Sequence, residues 1–275
     1  MKYLLGNDPQ QEARLQNILL DRLERTTAER FAREIGRATR DMLAEYERTG
    51  NAPALPLDHV RRIEALFVDL AAVSVDVFGG RILDQGKAAG LVLETKGVWS
   101  ELFQRLALEY IQLEAIRQRI TSISNQTRAL IVSAIERGQR DGLTLPEIAA
   151  GIRENAGNIG AYRSHVIART ETHGAANYGA NEAAKATGLK LKKRWVSVND
   201  HRTRDSGQSD GVVDEYDHRA MNGQIVDMDQ PFLMPHKSGT PLRIMVPGEA
   251  GAPAGAVINC RCAVVHIVDD PLFAD

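Results

Sequence analysis

Residues 161–188 read AYRSHVIARTETHGAANYGANEAAKATG, and Arg194-Trp195-Val196-Ser197-Val198 follows shortly after. The first stretch has no proline and holds Ala168, Gly174, Ala175, Ala176, Gly179, Ala180, Ala183 and Ala184. That predicts a helix over 161–187 whose small-residue surface lets other backbones approach closely, ended by Gly188 at a C′ position. The second stretch is β-type. Similar runs recur at Gln224-Ile225-Val226, Leu242 to Val246 and Ala263 to Val268, with Asn222-Gly223 as a two-residue hairpin signal. Helical character therefore gives way to strand character at Gly188.

Upstream, the apolar positions keep a helical period. Leu15, Ile18, Leu19, Leu23, Phe31 and Ile35 mark a helix over 10–48, whose Arg and Glu residues read as a solvated face laced with i,i+4 pairs. Gly50 to Pro53 and Pro56 break it, and a second helix starts near Asp58 with Val60, Ile63, Leu66, Phe67 and Leu70. Gly79-Gly80 and the 86–97 region predict interruptions. From Trp99 the pattern runs through Ile123, where Ser122 to Asn125 reads as a cap before a further helix to Gly138. Thr144-Leu145-Pro146-Glu147 has the spacing of a capping box and predicts a short helix through Ile148 and Ile152. Residues 248–255 (GEAGAPAG) read as a flexible loop.

The expected fold class is α+β: an extended, mostly helical N-terminal region followed by a small β-rich C-terminal module docked on the last long helix. The expected divisions are 1–98, a helical region; 99–188, a helical core; and 189–275, the β-rich module. Composition agrees. The 275 residues are 43% hydrophobic and 25% charged, as in ordinary globular proteins, and aromatics at 5% favour helix packing. A net charge of −2 creates no global pull toward nucleic acid or anionic lipid. The first residues lack a signal-peptide core, and no apolar run approaches the ~18–20 residues of a membrane helix. Two cysteines one residue apart exclude a disulfide framework and fit synthesis in a reducing cytosol.

The second half resembles the phage head-morphogenesis family of Mu F-like and SPP1-type minor capsid proteins. The resemblance rests on ordered elements across about 110–268. They are Ile120 to Ser124 with Thr127-Arg128; Gly138 and Gly142 to Ile148; Ile167 to Thr172 with Asn177; and Trp195. They continue with Asp200-His201-Arg202-Thr203-Arg204, His218 to Gly223, Asp229 to Phe232, and Asn259-Cys260-Arg261-Cys262. It implies a non-enzymatic minor head protein, assembled in the host cytoplasm into the virion head near the portal vertex. Implied partners are the portal protein and the major capsid or scaffolding protein, with nonspecific contact to packaged DNA and no membrane. The alternative is a DNA-processing enzyme or toxin-like effector built on the same module. A chain ending at Asp275, just past the last strand, would leave no room for an appended catalytic domain.

Many similar proteins carry Cys-x-x-Cys soon after the Asp-x-Arg-Thr segment and a His shortly before the terminal Cys-Arg-Cys, which look like structural zinc ligands. Here those places hold Arg204-Asp205-Ser206-Gly207 and Val257-Ile258-Asn259. Cys260, Cys262 and His218 could supply three zinc ligands, with His201 or an aspartate as fourth. The favoured expectation is that two small, soft side chains simply pack on one face of the last strand, with no metal and no cofactor. Arg169 and Glu171 are expected to bond across to the β module and fix its docking, paired as buried charges must be. Asp200, Arg202 and His218 complete that docking set. A metal-dependent His-Asn nuclease around His218, Asn222 and Asn259 is disfavoured, because no helix follows the expected hairpin. The basic segment places Lys190, Lys192 and Arg194 on one strand face, as candidate DNA contacts or as lysines protecting an edge strand.

Overall fold

In a computed structural model, the structure describes residues 2–3, 9–88 and 96–269. The order is β1 (Lys2–Tyr3), α1 (Pro9–Thr49), α2 (His59–Ala88), α3 (Lys96–Gln112), α4 (Glu114–Arg140), α5 (Leu145–Ala186), β2 (Leu191–Val196), β3 (Ile225–Asp227), β4 (Phe232–Met234), β5 (Leu242–Ile244), α6 (Ala254–Val257) and β6 (Ala263–Val268). The α+β class holds. Helix α5 is the spine: α1 and α2 lie along it, α3 and α4 pack beside it, and β6 crosses its later half.

Periodicity located the helices well and their ends less well. The Thr144–Glu147 capping box is present, with Thr144 N donating to Glu147 Oε2 at 2.7 Å. It opens not a short helix but the whole 42-residue α5, which continues through the expected gap to Ala186. Gly188 then adopts φ +69°, as expected of a C′ glycine. Helix α2 runs through Gly79-Gly80 without interruption. Gly79 serves packing: a Cβ there would meet the Phe103 ring of α3 at 2.6 Å. Residues 89–95 of the expected irregular region lie outside the described residues. The break expected at Ser122–Asn125 falls instead at Leu113, between α3 and α4. Ser124 and Thr127 are buried inside α4, where Thr127 Oγ1 donates to the Ile123 carbonyl at 2.9 Å. A polar cluster can thus satisfy itself on the preceding turn without ending a helix.

The main core joins Phe31 of α1, Ile63, Phe67 and Val75 of α2, and Phe103 and Tyr110 of α3. It continues through Ile116 and Ile120 of α4 to the alanine face of α5. A second cluster at the far end packs Met42, Leu43 and Tyr46 against Ile131, Ile135, Ile148 and Ile152. The charges of α1 correct the expectation of a solvated, internally paired helix. Glu12 and Glu24 are buried and pair outward, with Arg81 of α2 (2.7 Å) and Arg169 of α5 (2.7 Å); Glu34 pairs with Arg62 of α2 (2.7 Å).

The main sheet has the order β1-β6-β2-β3, with antiparallel pairing throughout. The N-terminal pair Lys2–Tyr3 joins it beside Ile267 and Val268, so both ends of the described chain meet in one sheet. Strand β2 is interior, flanked by β6 and β3, which removes the edge-strand reading of its lysines. Asn222-Gly223 is not the tip of a two-residue hairpin. It closes the long 197–224 loop: Ser197 N donates to Asn222 Oδ1 (3.1 Å), and Gly223 N to the Trp195 carbonyl (2.9 Å). Strand β4, which pairs with β5, was not foreseen from the sequence. The glycine-rich stretch 248–255 is a packed turn leading into α6, with Gly248 set directly on Gly174 of α5.

Candidate functional site: the joint between the long helix and the C-terminal module

The module has its own core, separate from that of the bundle, which includes Trp195, Met221, Phe232, Met234, Cys260 and Cys262. Trp195 meets Phe232 edge-on with ring centroids 5.4 Å apart. It docks on α5 through two kinds of contact. One is backbone on backbone at Gly174, where a Cβ would lie 2.8 Å from the Gly248 carbonyl oxygen. The other is polar. Asn177 Oδ1 accepts from Val264 N at 2.9 Å, and its Nδ2 donates to the Cys262 carbonyl at 3.3 Å. This buried amide thereby imitates a strand partner for β6. Thr170 Oγ1 accepts from Asn259 N at 3.1 Å. The sequence reading assigned Asn177 no role. Its signals were its place among the ordered motifs of the resemblance and an amide set among alanines and glycines on the small-residue face.

The expected docking residues divide. Arg169 does not reach the module: it makes a two-pronged bond with Glu24 of α1 (Nη2–Oε1 2.7 Å, Nε–Oε2 3.0 Å) and ties α1 to α5. Glu171 acts through an intermediary. Arg119 of α4 donates to its Oε2 at 3.1 Å, and the other Arg119 nitrogen donates to the Ala250 carbonyl at 2.9 Å. Burial pushes the Glu171 carboxyl above its usual range, partly opposed by Arg119. Asp200 is held well below the carboxylate range, chiefly by its hydrogen bonds from Arg261 (2.6 and 2.7 Å) and also by Arg202 N and Thr203 Oγ1. The Arg202 side chain is more exposed and lies 3.4 Å from Asp200. These residues fix the 200–204 turn to the last strand, within the module.

Asp205, one of the residues where similar proteins carry Cys-x-x-Cys, is an organising carboxylate. The Ser209 hydroxyl, then Arg219 Nε (2.9 Å) and Gly207 N (2.8 Å), donate to it and lower its pKa well below the usual range, and Gln208 N donates to it as well (2.8 Å). Between α5 and the module lies a cleft of about 320 Å³ lined by Arg169, Arg202, Arg204 and Arg261, with Asp210 and Asp214 opposing them.

His218, Cys260 and Cys262 come together and are all buried. His218 Nδ1 stands 3.6 Å from each sulfur, while its Nε2 is buried without a hydrogen-bond partner. Ser197 Oγ donates to the His218 carbonyl and lies 3.7 Å from the Cys262 sulfur. On spacing alone the cysteines read as packing residues; the histidine arrives from the long 197–224 loop.

The basic segment does not form an open patch. Lys190 and Lys192 face Asp269, at 3.7 and 3.3 Å. Lys193 is buried on the opposite face, where its ammonium donates to the Met245 carbonyl at 2.9 Å and sits 5.3 Å from the Phe232 ring centroid. Burial lowers its pKa to about 8. Arg194 is partly buried on the same face as Lys192, close to Gly223.

The segments that build this joint run from α4 to β6, and that span coincides with a family. The family model described as "Phage Mu protein F like protein" matches residues 125–265, just over half of the chain. The chain belongs to that family. It is a family of phage head proteins. The Mu F-like region thus takes in the later part of α4, all of α5 and the module up to β6, so the joint lies within the matched span apart from Arg119 of α4. Among curated proteins, an NAD(+)–arginine ADP-ribosyltransferase EFV of Enterococcus faecalis is 26% identical over 159 residues. That alignment covers 56% of this chain and 28% of the relative, so the chain spans well under a third of that protein. No solved structure matches. Among the described residues, no helix is long and apolar enough to cross a membrane.

Proposed function

We propose that this Mu F-like protein is a minor head protein of a tailed phage or phage-derived particle, working in head morphogenesis near the portal vertex. Its partners in this reading are the portal protein and the major capsid or scaffolding protein, and it aids DNA packaging or ejection. The observation that carries the reading is the use made of the family-span polar residues. Glu171, Asn177, Asp200 and Arg261 are consumed in ties between structural elements, as a scaffold requires. The charge pattern adds little attraction for DNA, since Lys190 and Lys192 are offset by Asp269. Contact with packaged DNA would therefore be local and salt-sensitive.

The test is to purify heads, count this chain per particle and locate it by density relative to the portal. A few copies at the portal vertex are expected. Heads that assemble normally and package DNA without the chain would overturn the reading.

The relative's name motivates a second reading, in which the module accompanies an ADP-ribosylating effector. Since the alignment covers only 28% of that relative, its named activity is not tied to the shared region. Incubating the full chain with labelled NAD+ and arginine-rich protein should yield no transfer; transfer abolished by Glu171→Gln would favour the effector.

A further inference from the structure

We propose that His218, Cys260 and Cys262 bind a thiophilic divalent cation of the zinc class, stapling the 197–224 loop to the segment that leads into β6. The ligand atoms of the three residues all lie within 4.8 Å of one another. A tetrahedral zinc with Zn–S near 2.3 Å and Zn–N near 2.0–2.1 Å requires an N···S separation of about 3.6 Å. Both N···S distances are 3.6 Å. A single thiol–imidazole hydrogen bond would use one sulfur; here both sulfurs stand at the same distance from Nδ1. Two sulfurs equidistant from one ring nitrogen converge on a point between them, which is where a cation sits.

The surroundings support the assignment independently. The Cys262 N–H donates to the Cys260 sulfur at 3.4 Å, which fixes the position of that sulfur beside the imidazole. Charge also fits: two thiolates and a neutral imidazole cancel a divalent cation, so the filled site is neutral and can be buried at low cost. In this proposal a water completes the four-coordinate shell, beside the Ser197 hydroxyl that lies 3.7 Å from the Cys262 sulfur. The ligand set differs from the Cys-x-x-Cys pattern of similar proteins. Asp205, which stands there, is already bonded to Ser209 and Arg219. A module of short strands and long connections gains most from such a staple.

The experiment uses the full chain purified without chelator, with metal measured by elemental analysis. About one zinc per chain is expected. Cobalt(II) added to stripped protein should give the intense d–d bands of a tetrahedral site and a thiolate-to-cobalt charge-transfer band. Cys260→Ser with Cys262→Ser should lose the metal and the charge-transfer band, and His218→Gln should weaken cobalt binding at least tenfold. If these variants do not fold, the wild-type spectrum decides alone. Less than about a tenth of a zinc per chain after refolding with excess zinc, or cobalt bands without thiolate charge transfer, overturns the site. So does metal retained by the double cysteine variant.

Discussion

The helical bundle and the C-terminal module are held together by different means. In the bundle, Phe31, Phe67, Phe78, Phe103 and Tyr110 fill a continuous apolar interior, and ion pairs such as Glu24–Arg169 sit at its margins. In the module, strands of three to six residues carry a separate core, and long connections are pinned by Asp200, Asp205, Asn222 and the sulfur–imidazole cluster. Apolar burial is non-directional and tolerates exchange of similar side chains. A loop-rich unit relies on directional bonds, each of which fails when one partner is removed. The bundle should therefore respond to lost volume, and the module to lost bonds.

Four expected outcomes would break or sharpen that contrast. The largest is Phe67→Ala: emptying a site in the bundle core that is 1% exposed should cost about 3–5 kcal/mol and lower the global transition in urea. A small local effect, confined to α2 by hydrogen exchange, would mean that the bundle is not one cooperative unit. Next is Asn177→Leu, which leaves the Val264 N–H and Cys262 C=O without their partner. About 1–3 kcal/mol should be lost, with amide protection falling in β6 while α2 stays protected. Equal loss in both would show that the module and bundle unfold together.

Gly174→Ala comes third. The added methyl meets the Gly248 carbonyl oxygen at 2.8 Å and the Tyr110 hydroxyl at 2.9 Å. Overpacking of about 1–3 kcal/mol is offset by nearly 1 kcal/mol of helix propensity. The visible result should be faster proteolysis between α5 and β2, with little change in melting temperature. An unchanged digestion pattern would remove the backbone contact from the docking argument.

The last outcome is a slope with pH, spread over several units. Burial lowers the pKa of His173 to about 3, helped by nearby Arg169 and Arg261; His266 is likewise held near 3 by burial, with Lys193 and Lys185 adding to it. Between about 3 and the ordinary histidine value of 6.5 the unfolded chain binds protons that the folded chain refuses. Stability should thus be full above pH ~6.5 and fall as pH drops, by at most about 1.4 kcal/mol per pH unit for each ring. His173→Gln should flatten this acid slope; an unaltered slope would place the acid sensitivity elsewhere.

How much was legible varies with range along the chain. The capping box at Thr144, the stop at Gly188 and the alternation along β2 are local features, and all three stand where the sequence puts them. The gap expected before residue 161 and the break expected at Ser122 are also local readings. The break at Ser122 fails because Ile123, Ser124 and Thr127 are buried against neighbouring helices, which overrides weak propensities, whereas the chain before residue 161 is helical although Arg153, Glu154 and Asn155 are exposed. The candidate site divides likewise. Its residues were nameable from the family resemblance, but their partners were not.

The sequence by itself determined the succession of long helices and short strands, the small-residue face of α5, and the membership in a phage head family carried by ordered motifs. Those follow from side-chain size, period and capping, which act between residues a few positions apart. Only the tertiary structure decided that Arg169 turns to Glu24 and that Asn177 completes β6. It alone brought Lys2–Tyr3 into the same sheet and His218 between two sulfurs. These pairings join residues from 42 to over 260 positions apart. A charge or amide has many chemically adequate partners in a chain this long, and packing of the apolar core selects the one brought within reach.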